Sequence, residues 1–275
     1  MTARSILITG CSSGIGRYCA DALKACGWRV FATARTDDDI GRLQADGFEA
    51  FHLEYREPGS VHAAADAVLE RGGGRLDALF NNGAYAQPGA VEDLTGALLR
   101  EQFEANFFGW HELTRRIVPA MRRQGHGRIV MCSSVLGLWA LKYRGAYNAS
   151  KFALEGLTDT LRLELRGSGI YVSTIEPGPI RSRFAANALE AFERNIEIET
   201  SVHREAYQHQ LARLRGQRSS RFKRGPEAVF DKLLHALESG NPRPHYYVTL
   251  AAYITAYGLR VLPNRVLDWA AERWS

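Results

Sequence analysis

Ser5-Ile6-Leu7-Ile8-Thr9-Gly10-Cys11-Ser12-Ser13-Gly14-Ile15-Gly16 joins a largely apolar run to a turn carrying three glycines. Such a run, bounded by Gly10, predicts a strand buried on both faces. A helical pattern follows to about Cys26. Glycines at the junction let the turn tighten and bring backbone N–H groups close to a phosphate at the helix N-terminus. The spacing is GxxxGxG, not the GxGxxG of most dinucleotide folds. Strand before and helix after favour a diphosphate cradle over a merely tight connection.

The same alternation continues outward. Arg29–Ala34, Phe48–Leu53, Leu76–Phe80, Arg128–Cys132, Tyr171–Glu176 and His245–Val248 read as strands. Pro58 to about Glu70, Thr95–Arg123, Tyr147–Leu165 and Pro226–Glu238 read as helices. Repeated strand–helix units predict one α/β domain of the Rossmann-like, doubly wound kind: about seven parallel strands with helices on both faces. Ligands then lie beyond the carboxyl ends of the strands. Asn81-Asn82-Gly83, Ser133-Ser134 and Glu176-Pro177-Gly178 each follow a strand directly, so the polar punctuation collects on one sheet edge.

Tyr147 and Lys151 are four apart, one turn apart on one helix face. An ammonium beside a phenol favours the phenolate, so Lys151 is expected to draw Tyr147 below its usual value of about 10. Ser134, arriving from the neighbouring strand, can hydrogen-bond the substrate oxygen that Tyr147 protonates. Asn106 falls in mid-helix, where asparagine competes for backbone hydrogen bonds. Either it is an exposed or capping amide, or a local helix distortion lets it hold a water near the lysine. At the end of the second strand an acidic residue would hold the free 2′-hydroxyl of NAD. Here Ala34 stands there and Arg35 follows, and a guanidinium suits the 2′-phosphate of NADP.

Composition bounds the rest. The chain has 275 residues, 45% of them hydrophobic, and a net charge of +5. The densest basic stretch is Arg213, Arg215, Arg218, Arg221, Lys223 and Arg224, without a nucleic-acid motif or interleaved aromatics. It reads as a solvated face, with attraction to an anionic membrane surface or an acidic substrate tail as the alternative. Cys11, Cys19, Cys26 and Cys132 have no metal spacing, and no apolar stretch is long enough to span a bilayer. The start of the chain runs straight into a strand, so no signal peptide and a cytoplasmic location are expected. Residues 179–225 resemble a substrate lid, and 250–275 form two amphipathic helical pieces split by Pro263, expected to pack on the domain or a partner subunit.

Taken together, these residues resemble the short-chain dehydrogenase/reductase family across nearly the whole chain. Thr9 to Gly16 looks like its TGxxxGxG motif; Asn106, Ser134, Tyr147 and Lys151 match its catalytic tetrad. The wording TGCSSGIG, ATAR and EPGPI is most similar to NADP-preferring members acting on steroids, retinoids and other lipophilic carbonyls or alcohols. The resemblance implies an NADP(H)-dependent oxidoreductase, with Tyr147 as acid or base and Lys151 on the nicotinamide ribose. Ser134 would position the substrate oxygen, and Asn106 would hold a relay water. Cofactor contacts would come from Gly10, Ser12, Ser13, Gly14, Ile15, Gly16, Arg35, Glu54, Asn82, Gly83, Tyr147 and Lys151. Pro177, Gly178 and Ile180 would complete them at the nicotinamide. Two motifs depart from the family. Its NNAG reads Asn81-Asn82-Gly83-Ala84, and its adenine-contacting aspartate is Glu54, one methylene longer. Family members pair their long helices, so a homodimer or homotetramer is implied. Competing readings are a non-catalytic NADP-binding sensor or scaffold, a nucleotide-sugar epimerase or dehydratase, and a membrane-surface protein.

Overall fold

The structure, a computed structural model, describes residues 3–215 and 223–274. Its strands are β1 (Ser5–Ile8), β2 (Arg29–Ala34), β3 (Glu49–His52), β4 (Ala78–Asn81), β5 (Gly127–Cys132), β6 (Ile170–Glu176) and β7 (His245–Tyr247). All pair in parallel in the order β3-β2-β1-β4-β5-β6-β7. The chain fills one side of β1 and then crosses to the other with β4. That reversal opens a crevice between the carboxyl ends of β1 and β4, the place where open α/β sheets bind ligands.

The helices of the sheet units are α1 (Gly14–Ala25), α2 (Asp37–Ala45), α3 (Pro58–Arg71), α4 (Gly96–Phe103), α5 (Gly109–Gln124) and α6 (Gly145–Glu164). The expected lid holds α7 (Phe184–Asn195) and α8 (Arg204–Arg215), and α9 (Glu227–Glu238), α10 (Leu250–Val261) and α11 (Asn264–Trp274) complete the chain. Ile6, Leu7, Ile8, Leu79 and Phe80 are fully buried at the sheet centre, as the unbroken apolar runs require.

At the crevice the two loops are stitched together. The Thr9 hydroxyl accepts from the N–H groups of Asn82 (2.8 Å) and Gly83 (3.0 Å). The Asn82 amide donates to the Thr9 carbonyl (2.9 Å). Gly10 has φ +70°, and a Cβ on it would lie 2.6 Å from the Gly83 Cα. Backbone conformation and close crossing thus both demand glycine there.

The sequence reads Thr95–Arg123 as one helix; the structure keeps it continuous but widens it in the middle. Glu104–Phe108 forms a wide π-helical turn between α4 and α5. Immediately after it Gly109 presses on Tyr55, where a Cβ would come within 2.6 Å of the Tyr55 Cβ and carbonyl oxygen. Phe192, Ile196, Tyr207 and Leu211 of the expected lid form a small core with Ala90 of the loop after β4. Of the basic stretch, Arg218 and Arg221 lie outside the described residues. The tail breaks at Pro263 as expected, and Leu250, Ile254 and Val261 of α10 are exposed while Tyr257 meets the Tyr247 ring at 6.2 Å. Among the described residues no helix is long and apolar enough to cross a membrane.

Thr9→Val keeps the shape but leaves two N–H groups without their acceptor. A loss of about 2 kcal/mol or more is expected, since each orphaned buried donor costs roughly 1–3 kcal/mol. Urea unfolding of both proteins measures it.

Candidate active site

The first turn of α1 has neither a side-chain cap nor an acidic residue. Its N–H groups and the positive end of the helix are thus left for an anion. Ser12 and Ser13 lie on the approach, and Ser182 crosses Gly14 so closely that a Cβ there would meet the Ser182 Cβ at 3.0 Å. Ile15 packs against the core and Gly16 against the Gly10 carbonyl, where a Cβ would come within 2.3 Å. These features fit a diphosphate cradle. Arg35 is exposed past the end of β2.

Asn82 and Gly83 hold this cradle from behind. Gly83 passes both Gly10 and Tyr55, and its carbonyl accepts from the Trp110 indole N–H (2.9 Å). A Cβ on Gly83 would sit 3.3 Å from Gly10, so the glycine of the exchanged pair falls at the tight crossing and Ala84 just beyond it.

Glu54, expected at the adenine, is paired with Arg56 in the structure. Its carboxylate accepts from the Arg56 guanidinium (3.1 and 2.8 Å) and from the Arg56 backbone N–H (3.1 Å). Arg56 also reaches Glu101 of α4 (2.6 Å). Burial raises the Glu54 pKa, but these bonds outweigh it and hold the group below the usual carboxylate range. The extra methylene lets the side chain fold back onto the arginine two residues on.

Past β5 and β6 the catalytic candidates converge. Ser134 caps the short turn Val135–Gly137, its hydroxyl accepting from the Leu136 N–H (3.1 Å). Ser134 acts to lower the pKa of the buried Tyr147 phenol, whose ring meets Phe184 edge-on at 5.5 Å. Lys151, 1% exposed, donates to the Cys132 carbonyl (2.8 Å), and its ammonium stands 4.3 Å from the Trp110 ring centre. Pro177 accepts from the Val135 N–H (3.0 Å). Gly178 lies under Thr249, where a Cβ would come 2.2 Å from the hydroxyl. Ile180 packs on the core and bridges to Arg224.

Two expectations change here. Burial pushes the Tyr147 pKa above the ordinary phenol value, and Ser134 only partly opposes it. Lys151 does not draw it down as the spacing suggests, because burial lowers the lysine itself to about 8 and its amine points to Cys132. Asn106 does sit in a distorted turn, fully buried. Its amide, however, is committed to the Tyr85 backbone, accepting at 3.2 Å and donating at 2.9 Å. The amide therefore pins the loop after β4. Sequence reading also missed Trp110, which lies over the ammonium and anchors Gly83. Its place on the inward face of a long helix was the available signal.

A family model described as short chain dehydrogenase matches residues 4–192. The chain belongs to that family. It is 44% identical over 265 residues to "Uncharacterized oxidoreductase YbbO" of Escherichia coli (strain K12), covering 96% of this chain and 93% of that protein. It is 32% identical to 17-beta-hydroxysteroid dehydrogenase type 1 of Homo sapiens, covering 90% of this chain and 78% of that protein. A short chain dehydrogenase/reductase from Burkholderia phymatum, solved in complex with NAD, aligns with a TM-score of 0.77 and 27% identity. That alignment covers 94% of this chain and 92% of the other. The protein is thus a short-chain oxidoreductase using a nicotinamide dinucleotide.

In such an enzyme the phenol is the group positioned to move a proton. Tyr147→Phe is expected to cut carbonyl turnover by about 10²–10⁴-fold, the usual worth of a general acid. Fluorescence titration should find dinucleotide affinity close to wild type.

Proposed function

We propose that this short-chain dehydrogenase interconverts a carbonyl and an alcohol on a lipophilic substrate, with NADP(H) as its cofactor. The observation that carries the proposal is the convergence of Ser134, Tyr147 and the buried Lys151, one turn after Tyr147 on α6, on the sheet edge that also holds the glycine cradle. The bound nicotinamide supplies or accepts the hydride. Ser134 aligns the substrate oxygen, and the neutral, buried phenol of Tyr147 gives it a proton. A phenol held neutral by burial is the form that reduction needs, which favours the aldehyde or ketone as substrate. Lys151, still largely charged at neutral pH, offers N–H donors beside Tyr147 for ribose hydroxyls.

Preference for NADP(H) is supported by Ala34 in place of an acid and by the exposed guanidinium of Arg35. A lipophilic substrate is supported by Phe184, which opens α7 directly over the Tyr147 ring. Residues 184–211 would then serve as the lid. The likeness to a hydroxysteroid dehydrogenase points the same way.

Aldehydes, ketones, steroids and retinoids assayed with NADPH and NADH in parallel test this reading. Lipophilic carbonyls with NADPH should be the best pairs. Arg35→Ala should weaken NADPH binding about 10- to 100-fold, the worth of a charge-assisted hydrogen bond, and leave NADH little changed. Equal losses for both cofactors would reject the phosphate contact. No turnover of any carbonyl, with dinucleotide binding intact, would point to a sensor.

A further inference from the structure

Two consecutive helices near the end of the chain carry apolar side chains into solvent. On α10, Leu250 is 75% exposed, Ile254 60% and Val261 79%. Residues four and eleven apart fall on one stripe of a helix. The helix already turns Ala252 and Ala256 inward, where both are buried, so this stripe is a second apolar face. Around the break at Pro263, Leu262, Val266 and Trp269 are exposed as well. None of the side chains from Asn264 to Arg273 is buried. An apolar surface this continuous marks a contact site.

Charge says what it meets. Leu250–Val261 carries no acidic residue. Of the two acids on α11, Asp268 and Glu272, the second lies 3.7 Å from Lys142. Arg265 and Arg273 are exposed on the same helix, Arg273 standing 4.1 Å from the Trp269 ring centre. At the other end, Gly178 lies under Thr249, the residue that caps α10, and Ile180 bridges to Arg224. The Arg181 N–H donates to the Arg224 carbonyl (2.8 Å), and the Arg224 N–H to the Pro179 carbonyl (3.1 Å). Arg181, Lys223 and Arg224 are exposed there, with Glu227 3.7 Å from Arg181. The end of the basic stretch is thus brought to the start of the apolar helix.

We propose that α10 and α11 dock on a bilayer surface containing anionic phospholipid, with Arg181, Lys223 and Arg224 on its headgroups. Twelve residues of α10 rise about 18 Å, too little to span the hydrocarbon, so the helices lie along the surface. Leu250, Ile254, Val261, Val266 and Trp269 enter the boundary between headgroups and chains. A second copy would meet this face with the same basic edge, whereas a negative surface complements it. For a lipophilic substrate such docking shortens the path from the bilayer, but the docking itself does not depend on the proposed reaction.

Co-sedimentation of the full chain with vesicles tests this without turnover. Wild type is expected to pellet at low salt with phosphatidylcholine vesicles containing phosphatidylglycerol. It should pellet much less with phosphatidylcholine alone or at high salt. Ile254→Glu should weaken binding about 10-fold or more, and Lys223→Gln with Arg224→Gln about 5-fold per charge. NADPH affinity of Ile254→Glu should match wild type, which shows the fold intact. Lipids brominated in their chains should quench tryptophan emission, and Trp269→Phe should remove much of that quench. Wild type that ignores anionic vesicles would overturn the proposal; a dimer in light scattering that Ile254→Glu turns into monomers would then give the face to a second copy. Vesicle binding left unchanged by Ile254→Glu would overturn it equally, since charge alone would then hold the protein.

Discussion

An amine with almost no water around it is the constraint on which this site depends. Lys151 has one hydrogen bond among the described residues, to the Cys132 carbonyl, and an indole face against its charge. Burying an ammonium is costly unless the surroundings compensate, and here the compensation is partial, so the amine sits near the edge of losing its proton. Everything that positions it is drawn from different parts of the chain: β5 ends in the carbonyl, α5 brings Trp110, and α6 carries the lysine with Tyr147 one turn before. The same indole that faces the ammonium holds Gly83, and Gly83 crosses Gly10 at the cradle. Catalytic and dinucleotide ends are joined by one side chain.

The parallel sheet and its ligand-binding edge were legible in the sequence because their causes are local. Ser5–Thr9 is apolar throughout because both faces of β1 are covered, and each polar cluster follows a strand because the edge is where backbone must be solvated or bound. Tyr147 and Lys151 were legible for the same reason, since helical periodicity alone aligns them. What the spacing misjudged was environment. It pairs phenol with ammonium but is silent on how deeply both are buried, and burial decides the acidity of each.

The contacts that sequence did not show are long-range or conditional. Glu54 turned to Arg56 because a flexible carboxylate takes a nearby guanidinium. Asn106 found Tyr85, on a loop twenty-one residues away in sequence. The approach of His245 to Glu155 of α6 (3.8 Å) was invisible, because the two meet only once β7 has paired with β6. No pattern within α6 announces a partner arriving from the far edge of the sheet.

Tyr207 shows how the region proposed as the lid is built. Its ring meets Phe192 at 5.0 Å and Tyr143 at 5.5 Å, and its hydroxyl accepts from the Ala90 N–H (2.7 Å) and donates to Asp93. These residues form a cluster separate from the main core. Separate clusters open at separate free energies. With the proposed lid resting on the smaller cluster, gentle warming should loosen that region while the sheet still holds its shape.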